Sequence, residues 1–198
     1  MTDPSICVLV LNWNGSDDTI DCLNSLQALT YSNAKVVVID NGSDDDSVAQ
    51  IRQAHPQIEI LALESNLLFG GGNNSGLSWA NDQGFDFIVF LNNDTTVEPG
   101  FLEPLLNTFT SDEATGMAAP LICYAANPDL VWYGGGEVNL WTGKIVHRHI
   151  RDAASKVGIN PGLTDYITGC CLMMSTELAM QLNGFDTSFK MYGEDVDL

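Results

Sequence analysis

Phe87-Ile88-Val89-Phe90-Leu91-Asn92-Asn93-Asp94 is the stretch that decides the fold. Five apolar residues, rich in aromatic and β-branched side chains, read as a strand buried on both faces. Two amides and a carboxylate then end it abruptly. In open parallel α/β sheets, ligands bind beyond the C-terminal ends of the strands. Burial of apolar surface does not explain three polar residues there, so the triplet points to chemistry.

Working outward, Ile6-Cys7-Val8-Leu9-Val10-Leu11 is a second continuous apolar run, broken by Asn12-Trp13-Asn14-Gly15. Ser16 or Asp17 can cap a helix expected to reach about Leu29. Lys35-Val36-Val37-Val38-Ile39 predicts a strand that ends at Asp40-Asn41-Gly42-Ser43. A helix from about Ser47 to Ala54 and a strand from Ile58 to Leu63 follow. Gly70-Gly71-Gly72-Asn73-Asn74 predicts a loop leading into a helix from about Ser75 to Gln83. That run is close to G-x-G-x-x-G, but Ser75 stands at the last glycine and the run follows the third strand. A Rossmann dinucleotide site is therefore rejected. Close approach of backbone to a ligand or to the sheet is the better reading.

Strand, polar loop and helix thus alternate four times, the pattern of an α/β fold with a mostly parallel sheet flanked by helices. A further helix is expected from Gly100 to Phe109. Beyond Met117 the pattern changes, and Tyr133-Gly134-Gly135-Gly136 and Trp141-Thr142-Gly143 read as turns between short strands. The layout expected is one domain over 1–198, with a nucleotide-binding half (1–98) and an irregular mixed half (99–198).

Of the residues, 45% are hydrophobic and only 17% charged, which argues for a packed core rather than disorder. The formal charge of −19, from 26 acids and 7 bases, repels phosphate backbones and excludes general nucleic-acid binding. Met1-Thr2-Asp3-Pro4 lacks the basic start of a signal peptide, and no apolar run approaches the roughly 18 residues that span a bilayer. A cytoplasmic setting is expected. The five cysteines (7, 22, 123, 170, 171) contain no C-x-x-C pair, so neither a zinc site nor a disulfide framework is indicated, and Cys170-Cys171 reads as packed thiols. The histidines at 55, 147 and 149 are expected at the surface. His147 and His149 would share one face of a strand, but without a neighbouring carboxylate they make a poor metal site.

The ends of the first, second and fourth strands deliver Asn12 and Asn14, Asp40, and Asn92-Asn93-Asp94 to one rim, and the loop after the third adds Asn66 and Asn73-Asn74. Amides with an Asp suit the imide, carbonyl and hydroxyl groups of a nucleobase and ribose. An Asp at a strand end can hold Mg²⁺ or Mn²⁺ against a diphosphate, since Mg²⁺ commonly takes one or two carboxylates plus phosphate oxygens. Singly, Asp40-Asn41-Gly42-Ser43 reads as an ordinary turn and Asn92-Asn93-Asp94-Thr95 as a helix cap. Their joint placement favours a site. Near the end, Asp186, Glu194, Asp195 and Asp197 lie among Phe185, Phe189 and Tyr192. Desolvation and like charge raise a carboxylate pKa and suit a general base. A helix N-terminus enriched in acids is the plainer reading of the same residues.

Taken in order, these segments resemble the inverting family 2 glycosyltransferases of GT-A fold, especially their rhamnosyltransferase-like branch. The motifs are Asn12-Trp13-Asn14, Val38-Ile39-Asp40-Asn41-Gly42-Ser43, Asn66 through Gly76, Leu91-Asn92-Asn93-Asp94-Thr95, and Tyr192-Gly193-Glu194-Asp195-Val196-Asp197-Leu198. The resemblance implies that Asp40 binds the nucleobase, with Asn12 and Asn14 lining the same pocket. Asn73 falls where many relatives carry an arginine facing the donor, and Asn93 joins the donor side. Asp94 is the metal-ligating position of the D-x-D-like triplet, for Mg²⁺ or Mn²⁺. Asp195 is the base that deprotonates the acceptor hydroxyl, with Glu194 beside it. The implied reaction moves a sugar, such as L-rhamnose from dTDP-rhamnose, onto a polysaccharide or lipid-linked glycan, with peripheral membrane association through the acceptor.

Two departures stand out. Asn92 replaces the first Asp of the triplet and removes one charge from the metal position. The chain also stops at Leu198, where relatives continue with a helical segment, so the second half is expected to be incomplete. Two other functions remain. A sugar-1-phosphate nucleotidyltransferase wants a basic glycine-rich loop after the first strand, and Asn12 through Asp17 carry no Lys or Arg. A non-catalytic glycan- or partner-binding relative would not need Asp94, Glu194 and Asp195. Glycoside hydrolysis fits poorly, because adjacent side chains do not face one another across a bond.

Overall fold

The computed structural model describes residues 3–158, 161–190 and 192–198. Met1 and Thr2, on which the leader reading partly rests, lie outside the described residues. Strand β1 (Ile6–Asn12), helix α1 (Ser16–Leu26), β2 (Ala34–Asp40), α2 (Ser47–Ala54), β3 (Glu59–Ala62), α3 (Leu68–Asp82) and β4 (Phe87–Asn92) alternate as expected. Helix α4 (Leu102–Ser111) and the short strands β5 (Met117–Ala118), β6 (Ile122–Tyr124), β7 (Asn127–Tyr133), β8 (Gly136–Asn139) and β9 (Lys144–His147) come next. The chain closes with β10 (Cys171–Ser175), α5 (Thr176–Gln181) and α6 (Glu194–Asp197).

The main sheet has the order β3-β2-β1-β4-β10-β5. Strands β1 to β4 are parallel, whereas β10 runs antiparallel to β4 and to β5. The second half of the chain therefore completes the sheet begun by the first. The apolar runs are continuous because both faces are covered. Ile6, Val8 and Val10 pack with Cys22, Leu23 and Leu26 of α1 and with Leu102, Leu105 and Leu106 of α4. The alternate residues Cys7 and Leu9 pack with Leu77 and Ala80 of α3, Ala179 of α5 and Phe185. Strand order reverses between β1 and β4, and in open α/β sheets ligands bind beyond the C-terminal strand ends at such a reversal.

The glycine run corrects one expectation. Residues 70–74 are not a loop but part of the first two turns of α3, which begins at Leu68. Glycine is there to let the helix lie against the sheet. A Cβ on Gly72 would stand 2.6 Å from Leu11 Cδ1, and one on Gly76, a turn later, would press on Ile39 Cδ1. The close approach of backbone is thus to the sheet. Helix α1 is shorter than expected and ends at Leu26.

The irregular half forms two separate antiparallel ladders, β6 with β7 and β8 with β9. The turns at 134–135 and 140–143 fall between strands as read from sequence. His55 is buried rather than exposed, its ring 3.1 Å from Gln27 Nε2. His147 is half-buried, edge-on to Trp132 at 4.6 Å and to Tyr133 at 5.2 Å. Only His149 is at the surface. All five cysteines are free thiols.

Candidate active site

Asn12 and Asp40 lie opposite each other in the β1–β2 register, so the two strands end together. Asn12 Nδ2 donates to Asp40 Oδ1 at 2.7 Å and to Ser43 Oγ at 3.2 Å. Ser43 donates back to Asp40 from its hydroxyl at 2.6 Å and from its backbone N–H at 3.1 Å. Both Asn12 and Asp40 are buried, as a carboxylate tolerates only when its lone pairs are filled. Asn14, at a positive φ of 51°, donates to Asp44 Oδ1 at 2.6 Å and takes the Asp44 N–H at 3.0 Å. The first two strand ends are thereby locked into one rigid floor.

Thr19 extends that floor to β4. Its hydroxyl donates to Asn12 Oδ1 at 2.8 Å and accepts from Asn93 Nδ2 at 3.0 Å. Asn93 also donates to the Gly15 carbonyl at 3.3 Å. A Cβ on Gly15 would sit 2.9 Å from that same Asn93 amide, which explains glycine at the start of α1. Thr19 was not singled out from sequence. Its signal is a polar residue at the head of the buried stripe Thr19, Cys22, Leu23, Leu26, spaced for one helix face. Asn73 is placed apart from this network. It is buried on α3, and its amide donates to the Phe69 carbonyl one turn back at 3.1 Å.

Asp94 is exposed beyond the end of β4. Asp195 lies in the first turn of the short α6, and its Oδ2 accepts the Gly169 N–H at 2.9 Å. The next residue, Cys170, accepts the Asn92 N–H on its carbonyl at 2.9 Å. The Gly169-Cys170 pair therefore bridges the triplet and Asp195. Neighbouring groups sense both carboxylates. Burial pushes the Cys170 thiol up to about 12, with the Asp94 charge adding to it. Burial likewise raises Tyr166 to about 12, helped by Tyr133 and by Asp195. Tyr133 donates its hydroxyl to the Tyr166 carbonyl at 2.6 Å, which ties the two buried tyrosines together. Glu194 is buried, and its Oε2 has no hydrogen-bond partner among the described residues. Glu194, Asp195 and Asp197 all fall in the first turn of α6, so the plainer helix-start reading also holds.

Among the described residues, no group of three or more His, Cys, Asp or Glu side chains is placed to hold a metal ion. Asp94 alone fits the mode in which a cation is shared between one carboxylate and phosphate oxygens.

A strand-order reversal whose strand ends carry Asn12 and the buried Asp40, with Asp94 beyond β4, is where open α/β sheets bind ligands. Residues 5–181 match the family "Glycosyl transferase family 2", and the chain belongs to that family. It is 28% identical over 200 residues to the N-acetylglucosaminyl-diphospho-decaprenol L-rhamnosyltransferase of Mycobacterium tuberculosis, covering 89% of this chain and 63% of that protein. Solved structures share the GT-A fold. The mannosyltransferase PcManGT from Pyrobaculum calidifontis, in complex with GDP-Man and Mn²⁺, superposes with a TM-score of 0.68 at 15% identity, over 99% of this chain and 51% of that one. TarS 1-349 of S. aureus in complex with UDP gives 0.64 at 17% identity, over 97% and 53%. The chain thus spans roughly half to two thirds of the length of these relatives.

Proposed function

We propose that this chain is the donor-binding and base-carrying part of an inverting glycosyltransferase. Its sugar donor is a nucleoside diphosphate conjugate, with L-rhamnose from dTDP-rhamnose the first choice. The acceptor is a polysaccharide or a lipid-linked glycan, met at the cytoplasmic face of a membrane. The observation that carries the reading is the Gly169-Cys170 bridge, which ties Asp195 to the Asn92-Asn93-Asp94 triplet.

In this reading residues 1–98 hold the donor and 99–198 face the acceptor. Asp40, with Asn12 and Asn14, forms the wall against which the base and ribose hydrogen-bond, and Asn93 completes the donor side, while Asn73 stays back in α3 with its amide on the Phe69 carbonyl. Asp94 holds a Mg²⁺ or Mn²⁺ ion, which when bound offsets the charge of the departing diphosphate. Asp195 takes the proton of the acceptor hydroxyl. The freed oxygen attacks the anomeric carbon opposite the diphosphate, the glycosidic C–O bond forms as the C–O bond to phosphate breaks, and the configuration inverts. Glu194, buried beside it, keeps a second carboxylate in a low-dielectric setting.

The likeness to a rhamnosyltransferase favours rhamnose, and the amide floor suits a pyrimidine base. A thermal-shift screen of nucleoside-diphosphate sugars, with and without Mn²⁺, tests the reading. A metal-dependent rise in Tm with dTDP-rhamnose, larger than with GDP- or UDP-sugars, is the expected result. No stabilisation by any nucleoside diphosphate would sink it.

A further inference from the structure

Residues 161–168, which lead to the Gly169 contact with Asp195, form neither helix nor strand. A segment without a ladder of its own takes its shape from groups outside it. Three ties supply that shape, all from the β7–β9 half. The Arg148 guanidinium, just past β9, donates to the Leu163 carbonyl at 2.6 Å. Gly136 donates its N–H to Thr164 Oγ1 at 2.6 Å and accepts the Asp165 N–H at 3.1 Å. Tyr133, the last residue of β7, donates its hydroxyl to the Tyr166 carbonyl at 2.6 Å.

The third tie stands nearest Asp195 in sequence, and of the three it alone is buried. Tyr133 is 2% exposed and Tyr166 6%, so water does not replace the bond when it is lost. Thr164 Oγ1 donates to the same carbonyl at 2.9 Å, which fills its second lone pair. The Tyr133 ring is itself held edge-on, by His147 at 5.2 Å and by Tyr166 at 6.1 Å. A Cβ on Gly136 would run into the Tyr166 ring, so the slot for that ring is already full.

We propose that Tyr133 is a positioning residue for Asp195, its hydroxyl fixing Tyr166 and thereby the place from which the Gly169 N–H meets the carboxylate. Three residues of chain reach no more than about 11 Å, so little slack separates Tyr166 from Gly169. The last of that slack is taken up where Cys170 donates its N–H to Thr168 Oγ1 at 3.3 Å. Burial raises the Tyr133 phenol, Thr164 and Thr168 act against the rise, and the Asp195 charge adds to it. The hydroxyl thus senses both ends of the segment and the carboxylate beyond. The consequence for turnover rests on the reading of Asp195 as the base, whereas the positioning itself needs neither donor nor acceptor.

Amide hydrogen exchange of the whole chain, followed by NMR without nucleotide or metal, tests the positioning. Tyr133→Phe keeps the ring and removes only the hydroxyl. Exchange at Gly169 should quicken by about ten-fold or more, while the amides of β1 and β4 keep their wild-type rates. An unchanged rate at Gly169, an equal quickening throughout the core, or a variant that does not fold would each overturn it. Release of dTDP from dTDP-rhamnose with Mn²⁺ supplies the second arm. Tyr133→Phe should lower turnover by about ten- to a hundred-fold with donor Kd within about two-fold. In an Asp195→Asn background it should lower turnover no further, and additive losses would break the link between the two residues. No turnover in any variant would fail the glycosyltransferase reading alone, because the exchange rates decide whether Tyr133 holds Asp195 in place.

Discussion

The backbone N–H of Gly169 donates to Asp195 Oδ2 at 2.9 Å, so the proposed base is held by the main chain that leads into β10. Through Asn92 N–H and the Cys170 carbonyl, the same two residues grip the end of β4. Asp195 and Asp94 therefore belong to one edge, although they lie 101 positions apart in sequence. A Cβ on Gly169 would meet Phe69 Cζ at 2.9 Å, so a larger residue there would have to push the Phe69 ring aside.

Asp195→Asn keeps an oxygen that can accept the Gly169 N–H, so the fold should hold. The amide cannot take a proton. On the proposed chemistry turnover falls by about 10²–10⁴-fold, the usual worth of general base catalysis. Donor affinity, measured by calorimetry, should stay within about two-fold, a split that a merely structural role would not produce.

Asp94→Asn removes the one charge of the triplet at an exposed position. Chemical denaturation should shift by no more than about 0.5 kcal/mol, the normal range for surface changes. Titration with a nucleoside diphosphate should lose its dependence on Mn²⁺ while keeping the metal-free affinity. Full metal dependence in the variant would move the cation elsewhere.

Gly76→Ala sets two effects against each other. Alanine favours a helix over glycine by about 1 kcal/mol. The new methyl, however, would press on Ile39 Cδ1 and approach Leu9 Cδ1 at 3.2 Å, both fully buried. Overpacking of this kind costs about 1–3 kcal/mol, so a net loss of stability in urea is expected. Ile39→Val removes the obstructing carbon, and the double variant should be more stable than the two single losses predict.

What was legible in the sequence follows from period and punctuation. The runs at 6–11, 35–39 and 87–91 had no alternation, and both their faces prove to be covered. The amide and carboxylate stops were visible because polar residues at strand ends break the apolar run. The start of α3 was not, because glycine signals a loop locally, while its value here lies in contacts with Leu11 and Ile39 that no local window contains. Thr19 and Gly169 were missed for the same reason. Each acts across a long sequence separation, Thr19 to Asn93 and Gly169 to Asp195. His55 was misplaced because a histidine's polarity hides how readily it is buried beside a single partner, here Gln27.

The buried thiols predict an alkaline limit. Burial raises Cys7, Cys22 and Cys170 to about 12, and raises Cys171 as well. In the unfolded chain a thiol titrates near about 8.5. A group whose folded pKa lies above its unfolded one stabilises fully below the lower value, and that stability is lost as pH rises toward the upper. The urea midpoint should therefore be flat up to about pH 8 and fall between about pH 8.5 and 12. Buried Tyr133 and Tyr166 shift in the same direction and add to the fall at its upper end. Cys7→Ala should flatten the slope at the expense of a lower midpoint at neutral pH. At pH 8 a thiol reagent should modify Cys123 first and reach the fully buried Cys7, Cys22 and Cys171 only after denaturation, since the thiolate is the reacting form.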